Sequence, residues 1–310
     1  MTQESSNLLN PMDVLITVVT PVYNQAATLR ETIDSVLAQT YRHIEYIVIN
    51  DGSFDETESL LREYKDRIRI ISQENRGQSA ALNRAWNEAS GDYLTYLSAD
   101  DILYPDCIET LVEAIDGDAV VYYPDFDLID VRSEKVRTER TPDYDIEDLT
   151  CGLICQPGLA ALFRTDAYRA VGGWDSSYRF IPDFEFWTRM AFQGEFKRIP
   201  KVVGGFRIHD ESGSVRSISS VASDEIIRFV DEFTRFPSIS GKKRAIFQSR
   251  LMSARSHFQS RRLITGLQRY IQAFVSCPLA AIKPTNIKFV ISGLVRRTYY
   301  RFKTFFSKRR

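Results

Sequence analysis

The chain is short of the features that usually announce a phosphate loop or a metal cluster. Its 310 residues hold four cysteines and three histidines. Cys107, Cys151, Cys155 and Cys277 have no paired spacing, which excludes a zinc module or a disulfide framework and fits a reduced, cytoplasmic setting. No G-x-G-x-x-G follows the first apolar run and no G-x-x-x-x-G-K-[ST] occurs anywhere, so neither a Rossmann dinucleotide loop nor a P-loop is encoded. No apolar run reaches about 18 residues, so no transmembrane helix is expected. The polar opening, Met1 to Asn10, predicts no secretory signal. Residues 241–310 contain no Asp or Glu at all, yet they carry 17 Lys or Arg. The overall net charge of −1 therefore hides a tail of +17 behind a front of −18. Such asymmetry points to an anionic partner for the tail.

What is present is an alternation of strands and helices. Val14 to Val19 is a β-branched run that ends at Thr20-Pro21-Val22-Tyr23-Asn24. A helix over Ala27 to Gln39 follows, with Leu29, Ile33, Val36 and Leu37 on one face. The strand Glu45 to Asn50 runs into Asp51-Gly52-Ser53; helix 56–64 and strand Ile68 to Ile71 come next. The polar loop Asn75 to Ser79 opens helix 79–89, and the strand beginning at Tyr93 runs into Ser98-Ala99-Asp100-Asp101. This order predicts an α/β fold with a doubly wound, mostly parallel sheet.

Polar groups gather where the strands end: Tyr23 and Asn24, then Asp51 and Ser53, then Asp100 and Asp101. A carboxylate cannot stay charged and unpaired inside a dry sheet. At a strand's carboxyl end, where ligands of open α/β sheets bind, two adjacent aspartates suit a hard cation bridging to a diphosphate. The same pair also fits a simple cap for the following helix. With no glycine-rich phosphate loop, a diphosphate needs a metal or an arginine, and the aspartate pair and Arg76 supply those.

These stretches, together with Ser35-Val36-Leu37-Ala38-Gln39-Thr40-Tyr41 and Asn75-Arg76-Gly77, resemble the family 2 glycosyltransferases of GT-A fold. The resemblance runs over roughly residues 14 to 215 and rests on the order and spacing of the motifs together. It implies that Pro21 and Tyr23 line the nucleotide base, with Asn24 and Ser53 beside them, and that Asp51 accepts a hydrogen bond from the base. Arg76 is then near base and ribose, Asp100 on ribose or metal, and Asp101 on a divalent cation, Mn2+ or Mg2+. Ser98 stands where many members have Asp, which leaves the principal metal ligand open between Asp100 and Asp101.

Further along, Gln156 to Arg164 resembles the family's acceptor-site strand, and Gly172-Gly173-Trp174-Asp175 and Asp183 to Arg189 follow at familiar spacing. The resemblance makes Asp183 the catalytic base, with Glu185 as the second candidate, and puts Gln156, Trp174 and Glu185 at the acceptor. Read from its neighbours alone, Asp183 after Pro182 is also a helix cap. His209, after a strand, is either a metal ligand or a surface turn histidine.

The expected organisation is a flexible N-terminus (1–12), a GT-A domain (13–215, nucleotide half 13–101 and acceptor half 102–215) and a basic, mainly helical C-terminal region (216–310). Helices are expected at 221–236 and from Ser253 to Phe274. In residues 285–310 aromatics alternate with Arg and Lys, which suits an anionic membrane surface. Docking on the acidic front of the same chain is the competing reading, and nucleic acid is disfavoured by that acidity.

The expected activity is an inverting, metal-dependent transfer of a sugar from a nucleotide-diphosphate donor to a hydroxyl of a glycan or lipid-linked acceptor. A UDP-sugar is favoured, with dTDP or GDP as alternatives. The expected setting is the cytoplasmic side of a membrane, in bacterial surface polysaccharide biosynthesis. A sugar nucleotidyltransferase and a non-catalytic glycan-binding module are the alternatives. The first usually needs a glycine- and basic-rich first loop, which Thr20 to Thr28 lacks, and the second has no use for Asp183 together with Asp101.

Overall fold

Alternating β-branched strands and one-faced helices fold, in a computed structural model, as a layered sheet whose strand ends collect on one edge. The structure describes residues 14–209, 219–233 and 241–293. In chain order the first elements are β1 (Ile16–Val22), α1 (Ala26–Leu37), β2 (Ile44–Asn50), α2 (Thr57–Glu63), β3 (Arg69–Ser72), α3 (Gln78–Asn87) and β4 (Tyr93–Tyr96). Next come β5 (Ile102–Leu103), α4 (Cys107–Glu113), β6 (Ala119–Ile129), β7 (Lys135–Glu139), α5 (Ile146–Thr150), β8 (Leu162–Arg164), α6 (Thr165–Val171), α7 (Pro182–Met190) and β9 (Glu195–Arg207). The helices α8 (Ser220–Phe233), α9 (Lys242–Gln259), α10 (Leu263–Ser276) and α11 (Pro278–Ala281) follow.

The sheet order is β3-β2-β1-β4-β8-β6-β9-β5, with β7 hairpinned onto β6. The β3-β2-β1-β4 half is all parallel, as right-handed strand–helix–strand units require. Every residue of β1 is buried, which is why it reads as an unbroken apolar run. Two threonines inside it are satisfied: Thr17 donates to Glu45 (2.6 Å), and Thr20 pairs with the Tyr46 hydroxyl (3.0 Å). Gly91 is required where the chain turns into β4, since a Cβ there meets the Thr17 backbone nitrogen at 2.6 Å. The second half mixes directions: β8 runs antiparallel to β4 and β6, whereas β6 and β9 are parallel.

Expectation and structure differ in three places. Ala119 to Tyr123 reads as a strand and the polar, charged stretch 130–150 as a loop over the sheet, but the strand continues to Ile129 and residues 135–139 form its hairpin partner. Of the segment Gln156 to Arg164, only Leu162–Arg164 is strand, because Ala160 takes a left-handed backbone conformation (φ 57°) that interrupts extension. The single helix expected over Ser253 to Phe274 is two helices, broken where Arg261 turns left-handed (φ 59°).

The chain divides into two compact units. One comprises Met1–Tyr144, Cys155–Ser176 and Pro182–His209 and contains the whole sheet. The other comprises Asp145–Ile154, Ser177–Ile181 and Asp210–Arg310 and contains α5 and α8–α11. In the second unit Phe247, Leu251, Ala254, Ala273, Ala281 and Val290 form a separate apolar cluster. Residues 1–12, expected as a flexible terminus, lie outside the described residues, as do 294–310 of the tail.

Candidate active site

The end of β1 and the turn after β2 are tied together. Asn24 is left-handed (φ 53°); its N–H donates to Ser53 Oγ (3.0 Å) and its Oδ1 accepts from the Phe54 N–H (2.9 Å). An asparagine tolerates that conformation because its side chain bonds locally. Asp51 is buried, and its carboxylate accepts from Gln73 Nε2 (2.7 Å) and from the N–H groups of Arg76 (2.9 Å) and Gly77 (2.8 Å). Asp51 thus shapes the 73–77 loop that carries Arg76, itself an exposed residue. Gly52 (φ 77°) lets this loop pack close, since a Cβ there sits 2.7 Å from the Asn75 nitrogen. Above the turn, Tyr23 is 43% exposed and Phe54 83% exposed, their rings edge to face at 6.1 Å. Phe54 had no role assigned from sequence; a large aromatic in a polar turn beside Asp51 was the available signal.

The acidic turn after β4 is held from α1. Thr28 Oγ1 donates to the Ala99 carbonyl and Thr32 Oγ1 to the Asp101 carbonyl, both at 2.8 Å. Ser35 Oγ accepts from the Leu103 N–H (3.1 Å), and the Gln39 amide bonds the Tyr104 carbonyl (2.8 Å) and the Ile108 N–H (3.0 Å). These four residues recur at helical spacing and form a polar stripe beside the apolar one. Sequence periodicity singles out the apolar stripe alone.

Arg207, at the end of β9, is the largest residue that sequence reasoning missed. Its side chain is 3% exposed, yet its guanidinium donates to the Asp100 carbonyl (2.6 Å), the Asp130 carbonyl (2.9 Å), Ser133 Oγ (3.0 Å) and Glu31 (2.6 Å). Its backbone N–H donates to Asp101 Oδ1 (2.8 Å). The one signal for it is its place two residues before His209 in a glycine-led strand.

The turn presents the chemistry expected of a cation site only in part. Asp100 Oδ2 lies 2.9 Å from His209 Nε2, both side chains partly open to solvent. Burial first, and the Asp100 charge second, push the Asp101 carboxyl well above the usual carboxylate range, with Arg207 opposing. A buried acid held beside a second acid is an electrostatic environment that favours a nearby cation. Among the described residues no three His, Cys, Asp or Glu side chains converge on one point. The Asp100–His209 pair can hold a hard cation only with oxygens from a bound ligand and water completing the shell.

Asp183 lies in the first turn of α7, where its Oδ1 accepts from the Phe184 N–H (2.8 Å), one of the helix's otherwise unpartnered donors. Burial raises its carboxyl above the ordinary value, with backbone hydrogen bonds opposing. The half-buried Tyr96 phenol is raised by burial and then by the charges of Asp183 and Asp101, so both acids lie within electrostatic reach of it. Cys155 is raised likewise by burial and then by Asp183. The remaining expected residues have structural partners. Glu185 is gripped by Arg189 through both oxygens (2.6 and 2.7 Å), and the same guanidinium caps the carbonyls of Val171 (2.6 Å) and Gly173 (2.7 Å). With both its oxygens engaged, Glu185 is built as an anchor for the 171–173 loop rather than as a second base. Trp174 is buried edge-on to Tyr96 (5.3 Å) and is fastened by Asn83, which bonds its backbone N–H and its carbonyl at 2.8 Å each. Gln156 is buried as well.

Comparison with known proteins accords with this arrangement. An uncharacterized glycosyltransferase of Rickettsia typhi is 32% identical over 228 residues, covering 70% of this chain and 71% of that one. Of other Rickettsia relatives the chain spans 31–59% of their length. Among solved structures, S. aureus TarS 1–349 in complex with UDP-GlcNAc superposes with a TM-score of 0.65 at 14% identity, covering 93% of this chain and 92% of that one. The mannosyltransferase PcManGT of Pyrobaculum calidifontis, in complex with GDP-Man and Mn2+, gives 0.57 at 17% identity, with 92% and 87% covered. These likenesses identify the fold as GT-A type, with helices added at the C-terminal end. The model of glycosyl transferase family 2 matches residues 17–172, and the chain belongs to that family of glycosyltransferases.

Proposed function

We propose that this glycosyltransferase is an inverting enzyme that takes a sugar from a nucleotide-diphosphate donor, a UDP-sugar first among the candidates, and adds it to a hydroxyl of a glycan or lipid-linked acceptor. Asp183 is the base. The observation that carries this reading is the half-buried carboxyl of Asp183 in the first turn of α7, raised in proton affinity and, like Asp101, acting electrostatically on Tyr96. A carboxylate whose proton affinity is raised is a better acceptor for the hydroxyl proton as that oxygen attacks the anomeric carbon.

The donor end is supported by the exposed Tyr23 and Phe54 rings, which offer a face and an edge to a flat base. Asp51 orders the loop carrying Arg76, and Pro21, Asn24 and Ser53 fix the floor beside it. Asp100, His209 and Asp101 are the residues that would hold a divalent cation, Mn2+ or Mg2+. When bound, such a cation neutralises the leaving diphosphate, so no acid on that side is needed. Gln156 and Trp174 wall the acceptor side by position, acting through packing rather than through an exposed face. Work at the cytoplasmic face of a membrane in bacterial surface polysaccharide assembly completes the reading. No helix among the described residues is long and apolar enough to cross a membrane.

The test is a donor screen with Mn2+ or Mg2+ that follows nucleoside diphosphate release, run on wild type and on Asp183→Asn. Donor binding is expected to persist while transfer falls by about 100-fold or more. Undiminished turnover in that variant rejects the assigned base.

A further inference from the structure

Helix α10 is built inside out. Gly266 and Ala273 are buried, and a Cβ on Gly266 would meet the Phe258 ring of α9 at 2.8 Å, so the small residues make the close approach. The bulky ones face away: Leu263, Ile264, Leu267, Ile271, Phe274 and Val275 are each between 42% and 78% exposed. On a helix these six fall within an arc of about 120°. Gln268 and Gln272 lie beyond one border of that arc, and both are exposed. Past α10, Leu279 (79%) and Ile282 (55%) are exposed as well. A patch of this size is far more than the scattered apolar residues of an ordinary surface.

Charge decides what covers it. Residues 241–310 hold no acidic side chain, and Arg261, Lys283 and Lys288, from the turn before α10 and the chain after it, are exposed. A second copy meeting this patch about a two-fold axis would set cations against cations, because such an interface faces itself. An anionic bilayer offers both an apolar interior and opposite charge at its headgroups.

From these observations we infer that the exposed face of α10, continued by α11, is a membrane-inserting surface selective for anionic lipid. The helix lies in the plane of the interface, since its 14 residues cannot span. The inference rests on the proposed membrane setting but relocates the contact. Part of the tail expected at the lipid is otherwise engaged: Val290 is buried in the second unit's core, Arg255 of α9 covers the Phe289 ring at 4.5 Å, and Arg255 also bonds Ser292 (3.1 Å).

The test uses the full chain with sedimenting vesicles of phosphatidylcholine, with and without about a quarter phosphatidylglycerol. Wild type is expected to bind only the anionic vesicles. The double variant Leu267→Asp, Ile271→Asp is expected to lose at least about tenfold in partition while keeping its circular dichroism and its turnover on a soluble acceptor. Independently, Leu267→Trp is expected to show a blue-shifted emission on anionic vesicles, a readout that survives if the aspartates disturb folding. The inference is overturned if wild type does not bind the vesicles. It is overturned equally if the double variant binds as wild type does and the Leu267→Trp emission does not shift. So does a wild-type dimer count against it, if the double variant dissolves that dimer without any change in partition. Loss of binding only when 294–310 are removed returns the contact to the tail and also overturns it. Turnover is measured in parallel, so a failed transferase reading leaves the vesicle result standing, and the reverse.

Discussion

Replacing Arg207 by methionine keeps most of the length and apolar bulk of the side chain and deletes the guanidinium. The carbonyls of Asp100 and Asp130 then lose their charged donors in a region where the arginine is 3% exposed. Each carbonyl left without a partner costs about 1–2 kcal/mol. The Glu31 pair adds little, about 0.5 kcal/mol, because Glu31 is 46% exposed and water replaces the contact. The sum is a loss of about 3–4 kcal/mol in unfolding free energy, in the range found when one partner of a buried charge network is removed. The backbone N–H to Asp101 survives, so the effect on activity comes through the freed Asp100 carbonyl and the shift of the turn. A displacement of about 1 Å there predicts a fall of about 100-fold in kcat/KM. Urea unfolding and initial rates of nucleoside diphosphate release measure the two quantities. Arg207→Lys is the control, expected to recover only a fraction because an ammonium cannot reproduce the fork. If Arg207→Met unfolds within about 1 kcal/mol of wild type and retains its kcat/KM within about threefold, the guanidinium has no such role.

Phe54→Ala is expected to raise the donor KM by about 5- to 100-fold with kcat nearly unchanged, the signature of lost base stacking; a change under about twofold in steady-state kinetics removes Phe54 from the donor site. In the second unit His257 is fully buried between Asp224 (3.1 Å) and Arg262 (2.9 Å), with Arg269 also on Asp224. Burial pushes its imidazolium below the ordinary value, Asp224 opposing. The unfolded chain therefore binds the proton first, and stability is lost as pH falls through about 6.5 towards the depressed folded value. Thermal unfolding between about pH 5 and pH 7 should show a shallower slope in His257→Gln than in wild type; equal slopes reject the assignment.

The part of the sheet formed by β1, β2 and β4 was legible because these strands are largely buried and the helices between them carry one apolar stripe. Runs such as Val14 to Val19 then leave little choice of structure. The interruption at Ala160 and the break at Arg261 were not legible, since non-glycine residues there enter left-handed conformations under tertiary contacts. At the site, the strand-end acids stood out because charge is conspicuous beside buried strands. Arg207, Thr28 and Thr32 did not, because each acts on a backbone carbonyl distant in sequence and leaves no local pattern. Trp174 and Glu185 were marked by spacing, but the structure places the first in an aromatic cluster and the second in an ion pair.

Helix α1 holds the acidic turn and the start of β5 through three side chains that repeat with the pitch of the helix itself, Thr28, Thr32 and Ser35. Inserting or deleting one residue among them rotates every later anchor by about 100°, so the carbonyls they hold lose their partners together. Point changes along this helix can be absorbed one hydrogen bond at a time, whereas its length is fixed. Length variation that leaves the acids undisturbed has to fall elsewhere, for example in the exposed stretch 65–67 between α2 and β3.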